Sequence, residues 1–190
     1  MFELRYATPA AWTTTVLADF DHFLLDHAAA EKKASGMAMS MVSHYPDRAR
    51  LVKAMIELAI EELAHFREVV KVMTKRGLTL APDNKDAYVN QLRKWMRQGS
   101  DVYLLDRLLI GGIVEARGCE RFGLIAEALP EGELKSFYAL ITDSEARHEN
   151  LFGELALEYF PAEHVFERLD TLLNAEADIC AALPLAAVLH

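Results

Sequence analysis

The sequence predicts an all-α chain: a four-helix bundle with a long crossover between its second and third helices and an additional C-terminal helix, in one domain over residues 1–190. Three observations predict it. Six prolines, at 9, 46, 82, 130, 161 and 184, separate long stretches of helix-favouring residues, and proline is tolerated in a first helical turn but breaks a helix interior. No segment alternates apolar and polar residues as a half-buried strand does. Four of the stretches carry apolar residues at alternating spacings of three and four, the inner seam of a bundle.

Each element follows from local signals. The first helix, 9–44, opens at Thr8-Pro9, an N-cap followed by proline. A short turn at Tyr45-Pro46 leads into the second, 47–76, so the two are antiparallel neighbours. Lys75-Arg76-Gly77 ends it, with cations in the last turn and a glycine free to turn left-handed. Residues 77–100 cross over to the third helix and hold a short helix at 85–98. Ser100-Asp101 caps the third helix, 101–128. Pro130 leads into the fourth, 131–159, and Pro161 into the fifth, 162–183; both prolines precede acidic residues, as helix N-termini prefer. Two antiparallel pairs joined by one long crossover form the ferritin-like layout.

The seams carry the chemistry. Helix one gives Leu17, Phe20, Leu24, His27, Glu31, Ala34, Ala38 and Met41; helix two gives Leu51, Met55, Leu58, Glu62, His65, Val69 and Val72. Helix three gives Leu105, Leu108, Gly112, Glu115, Cys119, Phe122, Ala126 and Leu129; helix four gives Leu134, Tyr138, Ile141, Glu145, His148, Phe152, Leu155 and Tyr159. Each is mostly apolar except at its middle, which presents Glu, or Glu with His three residues on. A buried carboxylate with no compensating charge loses several kcal/mol of solvation or takes a proton. Two divalent ions neutralise four glutamates, and two imidazoles add neutral donors. Glu and His at i and i+3 project from one helix face, so one helix can supply both to one ion. Oxygen-rich donors with one imidazole per metal suit iron or manganese better than thiolate-type zinc. With 18 Glu and 7 His in the chain, chance predicts roughly 0.7 Glu-x-x-His matches, so one match means little. The order is more specific: Glu31 precedes Glu62 as Glu115 precedes Glu145, an internal repeat offset by 84 and 83 residues.

Composition excludes other classes. The 52% apolar content supports a sizeable core and rules out disorder as the main state. The longest stretches without a charged side chain, Tyr6–Ala18 and Ala34–Pro46, run 13 residues, too few to span a bilayer. The first residues lack the basic and apolar regions of a signal peptide. Two cysteines, Cys119 and Cys180, make no disulfide framework, and the expected setting is cytoplasmic and reducing. A net charge of −9, taken alone, opposes a nucleic-acid partner.

The stretches DHAAAEKKASGMAMSMVSHYPDR (26–48), MIELAIEELAHFREVV (55–70), GGIVEARGCERFGLIA (111–126) and TDSEARHENLFGELA (142–156) resemble the tRNA 2-methylthio-N6-isopentenyladenosine hydroxylases, and the similarity runs through nearly the whole chain. The resemblance implies a ferritin-like non-haem diiron monooxygenase. It implies hydroxylation of the isopentenyl group of the modified adenosine in tRNA, with O2 as co-substrate and two electrons. It maps Glu31, Glu62, His65, Glu115, Glu145 and His148 onto the ligands of two iron ions, and leaves the bridging carboxylate open among Glu62, Glu115 and Glu145. The electrons come from an external reductase or ferredoxin, because no flavin or nicotinamide motif is present.

Further candidates surround these six. His27, Asp143 and Arg147 are candidates to orient the ligands by hydrogen bonds. Phe23, Phe66 and Phe122, with the small residues Gly111, Gly112 and Gly118, are candidates for a substrate pocket, against the plainer reading of core and close helix packing. Arg67, Lys71 and Lys75, four apart on the second helix, and Arg93, Lys94 and Arg97 beside Trp95 in the crossover, are candidates for tRNA contact, against the plainer reading of solvated faces. Lys32 and Lys33 follow a ligand. The alternatives are an iron-oxidising or iron-storing ferritin-like protein, another dimetal carboxylate oxidase, and a metal-free helical interaction module.

Overall fold

The structure, a computed structural model, describes residues 1–190 apart from the side chain of Asp101. Seven helices follow one another: α1 Ala10–Ala18, α2 Phe20–His44, α3 Ala49–Lys75, α4 Ala87–Arg93, α5 Ser100–Ala128, α6 Glu133–Tyr159 and α7 Ala162–Ala182, with no strand among the described residues. The chain divides into two compact units, one of residues 14–84 with 186–189, the other of 1–13, 85–185 and 190; α1 runs across the boundary between them.

In the first unit α2 packs along α3 as an antiparallel hairpin. The expected single helix over 9–44 is broken at Asp19. That residue leaves helical geometry (φ −134°, ψ 59°), and its carboxylate accepts from the His22 amide to cap α2. A short acidic side chain competes for backbone donors and so favours a cap over a helix interior. The seam therefore cannot be counted back through Asp19, and Leu17, expected on it, is exposed whereas Val16 is buried. The hairpin turns at Tyr45-Pro46. The far end of α3 closes as the sequence predicts: Gly77, at φ +75°, donates its amide to Thr74 and Leu78 donates to Met73, the paired bonds of a Schellman cap. The chain then returns past α2, where Lys32 meets Asp83 at 2.8 Å and Lys33 donates to the Asn84 carbonyl at 2.8 Å. These two lysines tether the crossover.

In the second unit α5 packs along α6, and α7 packs on α4, α5 and α6. The crossover helix is shorter than expected. Asp86 caps α4 by accepting from Val89, and the backbone bends after Lys94 because two arginines are drawn to Asp106. Arg97 donates to that buried carboxylate through its backbone and guanidinium, and Arg168 donates to it at 2.8 and 2.9 Å. Gly99, at φ +116°, is the N-cap of α5; Ser100 falls inside the helix, and the Asp101 side chain lies outside the described residues. Behind α5, Arg117 is fully buried against Glu176 of α7, which fixes the helix that carries Glu115.

Candidate metal centre

The repeat in the sequence becomes two half-sites, one in each unit. In the first, Glu31 comes from α2 and Glu62 and His65 from α3. Both glutamates are buried, Glu62 with 1% of its surface exposed. The three residues offer donor atoms within 4.8 Å of one another. His65 Nδ1 lies 3.5 Å from Glu31 Oε2 and 3.7 Å from Glu62 Oε2. Two donors bound to one ion at about 2.1 Å each stand about 3–4.2 Å apart, so these spacings fit a shared cation. Ser35 Oγ donates to the Ala59 carbonyl at 2.9 Å and pins α2 to α3 one turn from Glu31 and Glu62.

The second half-site repeats the first. Glu115 comes from α5, Glu145 and His148 from α6, and all three are buried. Their donor atoms also lie within 4.8 Å of one another, and His148 Nδ1 is 3.6 Å from Glu115 Oε2. The seams place these residues because glutamate and histidine three apart share a helix face, while Met55, Leu58, Val69, Tyr138, Ile141 and Phe152 bury the turns on either side.

The electrostatics of the first half-site call for positive charge. Burial alone would raise the Glu31 carboxyl, but hydrogen bonds from His27 and His65 and the charge of His27 hold it well below the ordinary carboxylate range. Burial alone would lower His65, yet Glu31 and Glu62 push it up to about 9. Buried carboxylates that hold a proton on a neighbouring imidazole are a setting that a divalent ion satisfies better, because it brings two charges to the same donors. Hard oxygen donors with one imidazole in each half fit iron or manganese.

Of the neighbours the sequence suggested, His27 is buried and its Nε2 lies 2.6 Å from Glu31 Oε1. Arg147 acts through an intermediary: its Nη2 donates to Ser144 Oγ at 3.0 Å, and that oxygen lies 3.5 Å from His148 Nε2. Asp143 is exposed and gives its main-chain carbonyl, not its carboxylate, to Arg147. Ser144 is a site neighbour that the sequence reading missed; its place four residues before His148 was the available signal.

The pocket candidates divide. A Cβ on Gly111 would meet the Phe152 ring at 2.8 Å, and one on Gly112 would run into the Phe2 ring. These glycines permit close packing and line no open space. Gly118 differs: a Cβ there would stand 3.5 Å from Glu145 Oε2, so the missing side chain leaves room beside that carboxylate. Phe23 is buried with its ring 5.9 Å from that of His27, and Phe122 is buried against Tyr138. Phe66, beside His65, lines a surface groove of about 510 Å³ together with Arg67, Val70, Lys71, Thr74, Lys75 and Leu80. Among the other tRNA-contact candidates Arg93 and Lys94 are exposed at the end of α4, and Arg97 serves the Asp106 clamp.

The family model described as tRNA-(MS[2]IO[6]A)-hydroxylase (MiaE) matches residues 2–190. The tRNA 2-(methylsulfanyl)-N(6)-isopentenyladenosine(37) hydroxylase of Pseudomonas putida is 36% identical over 172 residues, which cover 90% of this chain and 83% of that protein. The Salmonella typhimurium protein of the same name is 34% identical over 154 residues; the match covers 81% of this chain and 56% of that longer protein. A solved structure, a Synechococcus protein described as having aldehyde deformylating oxygenase activity, has a TM-score of 0.93 and 34% identity, over 98% of this chain and 94% of its own.

Proposed function

This chain belongs to the tRNA-(MS[2]IO[6]A)-hydroxylase family, and on that premise we propose that it is a non-haem diiron monooxygenase that hydroxylates the isopentenyl group of 2-methylthio-N6-isopentenyladenosine in tRNA. The observation that carries the reading is the duplicated half-site: a buried Glu, with a Glu-x-x-His on the next long helix, in each of two units. Four carboxylates and two imidazoles are the donor set of dimetal carboxylate proteins, and two divalent ions balance their charge.

In this reading Glu31, Glu62, His65, Glu115, Glu145 and His148 hold the two irons. Bound there, the irons supply activation of O2 for insertion of oxygen into a C–H bond. The residues of the chain set the conditions. His27 fixes one Glu31 oxygen and leaves the other for a metal. Ser144, held by Arg147, steadies the His148 ring. The absent side chain of Gly118 keeps space beside Glu145, and Phe23 and Phe122 keep the surroundings apolar, so that water is excluded from the reacting carbon. The electrons come from a separate reductase or ferredoxin, and the setting is cytoplasmic; no helix among the described residues is long and apolar enough to cross a membrane.

The test is nucleoside analysis of tRNA from cells lacking the protein. The reading expects the isopentenyl nucleoside to accumulate without its hydroxyl, and restoration by the wild-type gene but not by Glu115→Ala. Unchanged hydroxylation would remove it. A second reading, deformylation of an aldehyde by the same dimetal centre with the formyl carbon leaving as formate, is favoured by the 34% identity to the Synechococcus protein over almost its whole length. Iron-loaded protein incubated with a long-chain aldehyde, O2 and reductant separates the two: release of the shortened alkane supports the second, its absence the first.

A further inference from the structure

The outer face of α3 carries a groove that the chemistry of hydroxylation does not use. Its floor is apolar, from Phe66, Val70 and Leu80, and its rim is cationic, from Arg67, Lys71 and Lys75. The cations recur every four residues, so they rise along the helix in steps of about 6 Å. Glu68 pairs with Arg67 at 3.1 Å and with Lys71 at 2.8 Å, one carboxylate between two of the three cations on a chain whose net charge is −9. Leu80, a large apolar side chain lining the same groove, is 53% exposed. The groove begins at Phe66, the residue directly after the ligand His65.

We infer that this groove holds the single-stranded RNA next to the target nucleoside, with backbone phosphates along Arg67, Lys71 and Lys75 and an unstacked base against Phe66; the inference rests on the tRNA reading above. A polyanion with planar apolar bases matches a groove with a charged rim and an apolar floor. Single strands are bound in this way, by cations that track the backbone and aromatic rings that take the bases. On a chain of net charge −9 such a patch also favours one orientation of approach.

The experiment measures the binding of full-length tRNA carrying the isopentenyl nucleoside to iron-loaded protein, by fluorescence anisotropy between 50 and 200 mM salt, with hydroxylation of the same tRNA in parallel. Each phosphate contact on a single strand contributes about 0.7 to the salt slope. The triple variant Arg67→Ala/Lys71→Ala/Lys75→Ala should therefore lower the slope by about 2, so that over this range wild-type affinity falls roughly 20-fold more than the variant's. Phe66→Leu should weaken binding at least about 5-fold with the slope unchanged, because stacking is not ionic. Lys135→Ala, a cation elsewhere that pairs with Glu131, should change neither. If the wild type binds and hydroxylates but the triple variant keeps its slope, the groove assignment is overturned and the tRNA reading stands. If the wild type binds no tRNA, both fall. If the triple variant keeps its tRNA slope but loses turnover with the reductase, the groove serves an acidic electron donor and the assignment is overturned.

Discussion

Replacing Arg117 by methionine removes the buried cation behind the second half-site. The side chain is fully buried on α5, two residues after Glu115. Its Nε and Nη2 donate to the Glu176 carboxylate at 2.8 and 3.0 Å, and its Nη1 donates to Thr8 Oγ1 at 3.2 Å and to Glu120. Burial alone would lower the guanidinium pKa, but Glu176 more than offsets it. Without Arg117, Glu176 keeps only the Tyr88 hydroxyl at 3.1 Å and the Cys180 thiol at 3.0 Å as donors, and neither brings charge. Deleting one partner of a buried pair costs about 3–5 kcal/mol. In a chain of this length each kcal/mol is about 2–4 °C, so Tm should fall by about 6–20 °C. The assay is thermal unfolding followed by far-ultraviolet circular dichroism at pH 7. The double variant Arg117→Met/Glu176→Leu removes both charges and should recover most of the loss. A single variant within about 2 °C of wild type, less than about 1 kcal/mol, would refute the reasoning.

Other expectations follow from the same contacts. Gly111→Ala sets a methyl 2.8 Å from the buried Phe152 ring and should cost about 1–3 kcal/mol, whereas Gly118→Ala makes ordinary contact and should gain up to about 1 kcal/mol of helix propensity; urea midpoints compare the two. Burial and Glu176 push the Cys180 thiol up to about 12, so an aromatic disulfide reagent at pH 8 should leave it unmodified until the protein unfolds. Burial would raise Asp106, but Arg97 and Arg168 hold it below its ordinary 3.8. A carboxyl depressed in the folded state contributes stability above its unfolded pKa and loses it as pH falls through the folded one. The stability gap between wild type and Asp106→Asn should therefore be constant from pH 5 to 7 and narrow below 3.8.

Much of this was legible in the sequence because long helices and inward-facing Glu and His both write periodic signals. Proline spacing located the long helices to within a few residues, and the mid-seam break from apolar to Glu and His picked out side chains whose donor atoms the structure brings within 4.8 Å of one another. What stayed hidden depends on contacts between residues distant in the chain. Arg117 reads as a surface residue, because nothing local announces that Glu176, 59 positions later, takes its charge. Gly111 and Gly112 look like room for a substrate when only spacing is known; the Phe152 and Phe2 rings fill that room. The break at Asp19 was missed because apolar periodicity ran through it, and a cap three residues before His22 outweighed that pattern.

The most direct test of the account is iron stoichiometry with spectroscopy on purified protein, for wild type and for His65→Ala and His148→Ala. About two irons per chain, a Mössbauer spectrum of a coupled pair, and a marked loss of iron in each variant at unchanged helicity are the predicted results. A well-folded wild-type chain that binds no iron, or variants that keep the full complement, would contradict it.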